Sequence, residues 1–237
     1  FAFLTAALFN RENQNLRLFT LVVWLAVLGH LFAGRIGWAA RYEHYVLVIS
    51  AIALIPALAR GGAFRSVGMI AALASAAYFL WMNATVYNWT ARGVYLQHAQ
   101  MARIEAELPG VPVAVNDIGR VAWAQVAPVV DLWGLAYANA RRARQEAEGG
   151  PVPGWAGALA DAKGARYAMV YADWFKDGIG PDWRLVAELA TPAPIGILGS
   201  EVVSIYAIDP TIEDDLRAVI ERHAPSMPEG ATLTQVN

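Results

Sequence analysis

Residues 66–119 read SVGMIAALASAAYFLWMNATVYNWTARGVYLQHAQMARIEAELPGVPVAVNDIG. The stretch changes solvent near residue 90. Ser66 to Tyr87 is almost unbroken apolar sequence, and Tyr78, Trp81, Tyr87 and Trp89 crowd its end as an interfacial aromatic belt does. Beyond it, Val94, Met101, Ile104 and Leu108 recur at helical spacing among charged residues, which predicts an amphipathic helix over residues 92–108. Pro109-Gly110 ends that helix, and Val111–Val115 reads as a short buried strand.

Two more apolar runs precede this stretch, Leu18 to Ala33 and His44 to Ala59. A bilayer asks for about 20 apolar residues per helix. Both runs are short by that measure and need flanking residues such as Trp38, Tyr42 and Tyr45 at the interface. The chain opens on FAFLTAALF, and Phe1–Phe9 reads as the tail of an earlier membrane helix. The expected architecture is about three transmembrane helices plus the end of another over residues 1–90. A soluble α/β domain with a mostly parallel or mixed sheet follows over 91–237.

Composition divides the same way. Hydrophobic residues make up 57% of the 237, above the roughly 45–50% of an ordinary soluble domain. Residues 1–90 carry six arginines against Glu12 and Glu43, whereas residues 91–237 carry twelve basic against eighteen acidic side chains. A net of −6 on the second part argues against a nucleic-acid partner, which requires a basic surface. There are no cysteines, so disulfides and thiolate metal sites are excluded. Arg11, Arg17, Arg60 and Arg65 lie on one side of the expected spans and Arg35 and Arg41 on the other. The positive-inside rule favours the first group in the cytoplasm and the C-terminal domain outside, by a narrow margin.

In the second part, Val111–Val115, a short helix through Val121 and Trp123, and Pro128–Val130 predict a strand–helix–strand unit with parallel neighbours. Further strands are expected at Ala165–Tyr171, Leu185–Leu189 and Val202–Ile208. Helices are expected over 137–148, over Trp155–Lys163, and after Asp209-Pro210, the last burying Ile212, Leu216, Val219 and Ile220. The tail from Pro225 is expected to be loose.

The most suggestive patch is the loop Arg35-Ile-Gly-Trp-Ala-Ala-Arg41-Tyr42-Glu43-His44 between two apolar runs. Arginine forks match phosphate oxygens, so Arg35 and Arg41 with Tyr42 are candidates for gripping a lipid-linked phosphate. The plainer reading is snorkelling arginines paired with Glu43. His30, near the end of an apolar run, is either an accessory polar group or structural. Asp117 and Asp131 fall at expected strand ends, where open α/β sheets bind ligands, and suit a sugar hydroxyl or a divalent metal. Each also has a structural reading, Asp117 as a helix cap and Asp131 as a turn former. Glu213-Asp214-Asp215 resembles a metal cluster but suits the first turn of a helix, where the dipole stabilises acids. The sequence has no Walker loop, dinucleotide fingerprint, HExxH or nucleophile elbow.

Two segments carry a resemblance. GWAARYEHYVL (Gly37–Leu47) and VAVNDIGRVAW…VVDLWGLA (Val113–Ala136) resemble bacterial polytopic glycosyltransferases of the GT-C fold, with arabinofuranosyl- and mannosyltransferase-like members nearest. The resemblance implies a polyprenyl-phosphate sugar as donor, a glycan or protein acceptor, a multi-pass place in the plasma (inner) membrane and an extracytoplasmic C-terminal domain. It also implies a catalytic aspartate in an outer loop outside these residues, and it carries donor-phosphate contact to Arg41. Apart from the resemblance, the residues also suit a non-enzymatic, membrane-anchored binding or assembly module.

Overall fold

The computed structural model describes residues 14–34, 42–59, 62–124, 127–150 and 152–236. The chain forms two compact units, Phe1–Tyr87 and Asn88–Asn237.

In the first unit, α1 spans Gln14–Ala33, α2 His44–Ala59 and α3 Gly62–Met82. Val23 and Val27 of α1 pack on Val46 and Ala53 of α2, with Trp24 and Ile49 beside them. Little else is covered. Leu25, Phe32, Ile55, Ile70, Leu73 and Leu80 are all exposed, Phe32 at 88%. A helix apolar all round cannot keep that surface in water without a partner or a lipid phase.

The expectation of about three transmembrane helices plus the end of another is corrected. Among the described residues, two helices are long and apolar enough to cross a membrane: Gln14–Ala33 and the run Gly68–Ala106. The helix at His44–Ala59 has only 16 residues. At 1.5 Å per residue it reaches about 24 Å, short of the roughly 30 Å hydrocarbon layer. The longer run crosses from the first unit into the second at Asn88. Phe1–Phe9 lies outside the described residues.

A five-residue π-helical turn, Asn83–Tyr87, follows α3. The Asn83 amide donates to the Phe79 carbonyl and the Thr85 hydroxyl to that of Trp81, side-chain bonds to the preceding turn. The expected helix over 92–108 is two helices, α4 (Asn88–Leu96) and α5 (His98–Ala106), broken at Gln97.

The second unit is a mixed six-stranded sheet ordered β2-β1-β3-β5-β4-β6. Its strands are β1 (Val113–Val115), β2 (Val129–Asp131), β3 (Tyr167–Val170), β4 (Arg184–Ala190), β5 (Val202–Ala207) and β6 (Thr232–Gln235). β1 runs parallel to both β2 and β3, with Val115 opposite Asp131 on one side and Met169 on the other. β3, β5, β4 and β6 pair antiparallel. The helices between strands are α6 (Gly119–Ala124), α7 (Ala138–Gly149), α8 (Trp155–Ala162) and α9 (Ala172–Phe175), with α10 (Glu213–His223) before β6.

Alternation along the strands builds a core on each face. Val113, Val115, Tyr167 and Met169 meet Met101 and Ile104 of α5 and Leu216 and Ile220 of α10 on one face. Ala114, Ala168 and Val170 meet Trp155, Ala156 and Ala160 of α8 on the other. The tail expected to be loose is instead β6, which adds to β4 and buries Leu233.

The β4–β5 connection folds onto α4. The Ile197 amide donates to the Thr90 hydroxyl at 3.2 Å, and Gly93 lies against Leu198 and the Ile195 carbonyl. Gly196 sits at φ +64°, where any Cβ would strike Thr90. Gly196→Ala therefore combines left-handed strain with a clash and should cost about 2 kcal/mol or more, read as a lowered urea midpoint. An unchanged midpoint would show that the loop does not need this contact.

Candidate functional site

In the helical unit, Arg35 and Arg41 lie outside the described residues. Tyr42 and Glu43 are half-buried in the turn that leads into α2. His44, exposed at the start of α2, stands edge-on to Phe79 with ring centroids 5.6 Å apart. It lines an apolar groove of about 640 Å³ with Leu47, Ile55, Ala72 and Ser75. His30 is buried near the end of α1, its Nδ1 2.9 Å from the Tyr45 hydroxyl. The two rings meet edge to face at 5.4 Å. His30 thus ties α1 to α2, and a Cβ at position 34 would run into its ring.

The second unit places its polar groups at one edge. β1, β2 and β3 are parallel and β1 lies between the others, so the connections leaving β1 and β2 diverge around it. In sheets of this order, ligands bind beyond the carboxyl ends of the strands on either side of that switch point. Asn116 and Asp117 follow β1 there, and Tyr171 follows β3.

A buried hydrogen-bond chain occupies this edge. The Gln97 amide donates to the Ser200 carbonyl at 3.0 Å, which turns its Oε1 towards the Tyr171 hydroxyl. Tyr171 donates to that oxygen at 2.6 Å. The hydroxyl proton is then committed, so the His98 Nε2, 3.0 Å away, must carry its own proton and donate to the Tyr171 oxygen. Asn116 accepts the Tyr171 backbone N–H at 2.8 Å, and its own Nδ2 is buried without a hydrogen-bond partner. Gln97, His98, Asn116 and Tyr171 are all buried.

Asp117 stands at the open end. Its side chain is 40% exposed, its Oδ1 accepts the Gly119 N–H, and its Oδ2 lies 3.8 Å from His98 Nε2. Burial pushes the His98 imidazole below its ordinary value near 6.5, and the Asp117 charge opposes this less strongly. Burial also pushes the Tyr171 hydroxyl well above its ordinary 10. The chain is therefore held neutral behind one accessible carboxylate.

Asp131, at the equivalent end of β2, is spent differently. Its Oδ1 accepts the N–H groups of Trp133 and Gly134, and its Oδ2 those of Ala136 and Tyr137, all within 3.0 Å. It is buried and organises the 132–137 loop. Glu213 is likewise committed, to Arg184 and Arg217 at 3.0 Å each. Among the described residues no three His, Asp or Glu side chains gather as a metal-ligand set.

Sequence reading found Asp117 but missed Gln97, His98, Asn116 and Tyr171. The available signal was phase. Gln97 lies four residues before Met101, on the buried stripe, and a buried amide needs a partner.

Two outcomes follow from this geometry. Asp131→Ala orphans four backbone N–H groups and should cost about 3 kcal/mol or more, whereas Asp117→Ala should cost no more than about 1. Comparable losses in urea unfolding would contradict the assignment of Asp131 as scaffold. Folding also favours neutral His98, so the unfolded chain binds the extra proton as pH falls. This stability is present above pH 6.5 and declines as pH drops through 6.5 towards the lowered folded value. Urea midpoints at pH 7.5 and 5.5 should differ more for the natural chain than for His98→Gln.

Residues 85–206, from the π-helical turn to β5, match the model of a domain of unknown function, DUF8728. No curated protein and no solved structure matches the chain. The family match spans more than half of the 237 residues and takes in the whole switch-point edge, and the chain belongs to the DUF8728 family.

Proposed function

We propose that the chain is part of a membrane-embedded glycosyltransferase that takes its sugar from a polyprenyl phosphate and passes it to a cell-envelope acceptor outside the plasma membrane. The observation that carries this reading is the convergence of the two ends of the Val113–Ala136 segment. Asn116-Asp117-Ile-Gly and Asp131-Leu-Trp-Gly-Leu, which resemble such enzymes in sequence, fold onto adjacent parallel strands with both aspartates at one edge. Two helices of membrane length, with outward-facing apolar side chains, support the membrane location.

In this reading Arg35 and Arg41 neutralise the leaving phosphate as the glycosidic bond breaks, and Tyr42 contributes a hydroxyl to the same task. The acceptor hydroxyl attacks the anomeric carbon, and a carboxylate outside the present residues takes its proton. His30, Glu43 and His44 flank the arginine loop as supporting groups. The second reading is a membrane-anchored binding module without transfer. It is favoured by the complete use of Asp131 in its own loop, which leaves that aspartate no capacity for a ligand.

The test is transfer in membranes containing the natural protein, with a radiolabelled polyprenyl-phosphate sugar. Arg41→Ala, and separately Arg35→Ala, should lower turnover by about 10²-fold or more while the protein stays in the membrane fraction. Unchanged turnover in both removes the loop from the site. No transfer by the natural protein with any polyprenyl-linked pentose or hexose leaves the binding-module reading.

A further inference from the structure

We propose that the outer end of the β1–β3 switch point is a sugar-binding site in which Asp117 accepts hydrogen bonds from ligand hydroxyls and Trp123 supplies a stacking face. The inference deepens the transferase reading by giving its acceptor a place, and it stands on four observations.

The first is position. Asp117 follows the central strand of the parallel half, at the edge where this strand order leaves a crevice. The second is the state of the carboxylate. Oδ1 is held by the Gly119 N–H, which orients the group, while Oδ2 has no hydrogen bond shorter than its 3.8 Å approach to His98. That distance is too long for a hydrogen bond. An oriented acceptor with an open lone pair suits a ligand that brings its own donors.

The third is Trp123. It is 84% exposed, although tryptophan is ordinarily well buried. It lies on α6, which begins two residues after Asp117, and its Cα is about 6 Å along the helix axis from that of Gly119. An exposed flat apolar face on the short helix that follows an open carboxylate suits a pyranose or furanose, whose C–H face is apolar and whose rim carries hydroxyls. The fourth is charge. Residues 91–237 carry a net of −6, which with Asp117 itself disfavours an anionic ligand. Among the described residues no second and third His, Asp or Glu gather with Asp117 as the ligands of a divalent cation would. A neutral polyhydroxyl compound uses both the open acceptor and the flat apolar face.

The buried chain behind the site has a positioning role. Protonated Nε2 of His98 faces both the Tyr171 oxygen and Asp117 Oδ2, and the neutral imidazole leaves the carboxylate its charge for the ligand.

Saturation-transfer NMR on the whole chain in nanodiscs tests this directly, with methyl α-mannopyranoside, mannotriose, arabinotriose and inorganic phosphate as probes. At least one saccharide should show saturable binding, and phosphate none at the same concentration. Asp117→Asn and Trp123→Ala should each weaken saccharide binding at least about tenfold with unchanged urea midpoints. His98→Gln should weaken binding less and shift its pH dependence, which a merely structural residue would not do. The proposal is overturned if none of the saccharides binds, or if binding survives undiminished in both site variants. Saccharide binding without any transfer activity would keep this site and refute the transferase.

Discussion

The hydroxyl of Tyr171 is the point on which the α/β unit turns. It lies at the end of β3 and reaches both side chains at the break between α4 and α5. Gln97, fixed by that hydroxyl, in turn holds the Ser200 carbonyl and with it the β4–β5 connection. One buried oxygen thus gathers three segments far apart in the chain. A buried hydroxyl, amide and imidazole are costly unless satisfied. Each takes the place of water for the others, so the arrangement is cooperative: loss of one member strands the rest. The helical run breaks at Gln97 for the same reason, since the side chains of Gln97 and His98 must both turn towards the sheet.

The two halves of the sheet divide the work. The parallel half, β2-β1-β3, leaves its carboxyl edge uncovered by tight turns, because parallel strands need long crossovers. The antiparallel half, β5-β4-β6, is joined to it through β3 and β5 and carries α10 over its face. Arg166, beside β3, pairs with Asp209 at 2.9 Å and clamps the start of the α10 segment to the opposite edge. Arg222 reaches Glu107 at 2.7 Å and ties α10 to the end of α5. These ion pairs thus lie away from the edge that carries Asp117.

How much of this was legible in the sequence depends on the range of the interaction. β1, β2 and β5 could be read because β-branched runs bounded by Pro, Gly and Asp are local signals. The buried face of α10 could be read because Ile212, Leu216, Val219 and Ile220 fall at helical spacing. β6 could not. Thr232-Leu-Thr-Gln buries one side chain, and its strand character comes from the open edge of β4. The membrane-helix count failed for a related reason: α2 is as apolar as its neighbours, but length, not composition, decides whether a helix can cross a bilayer. At the site, Asp117 was visible from its strand-end position. His98 and Tyr171 are 73 residues apart, and no local pattern announces their contact.

Asp117 and Asp131 show why a motif is not a site. Asp131 ends β2 and Asp117 lies two residues beyond β1, both stand at the same edge, and both are followed within three residues by glycine. What separates them is the path of the next few residues. After Asp131 the chain curls back through Gly134 at φ +83° and presents four N–H groups to one carboxylate, which leaves it no capacity for a ligand. After Asp117 the chain enters α6 at once, and only the Gly119 N–H comes within reach. A carboxylate saturated by its own loop serves the fold, whereas one oriented by a single bond and left open to solvent retains the free energy of its unmade hydrogen bonds for a ligand. Function at this edge therefore follows from where the backbone supplies too few donors.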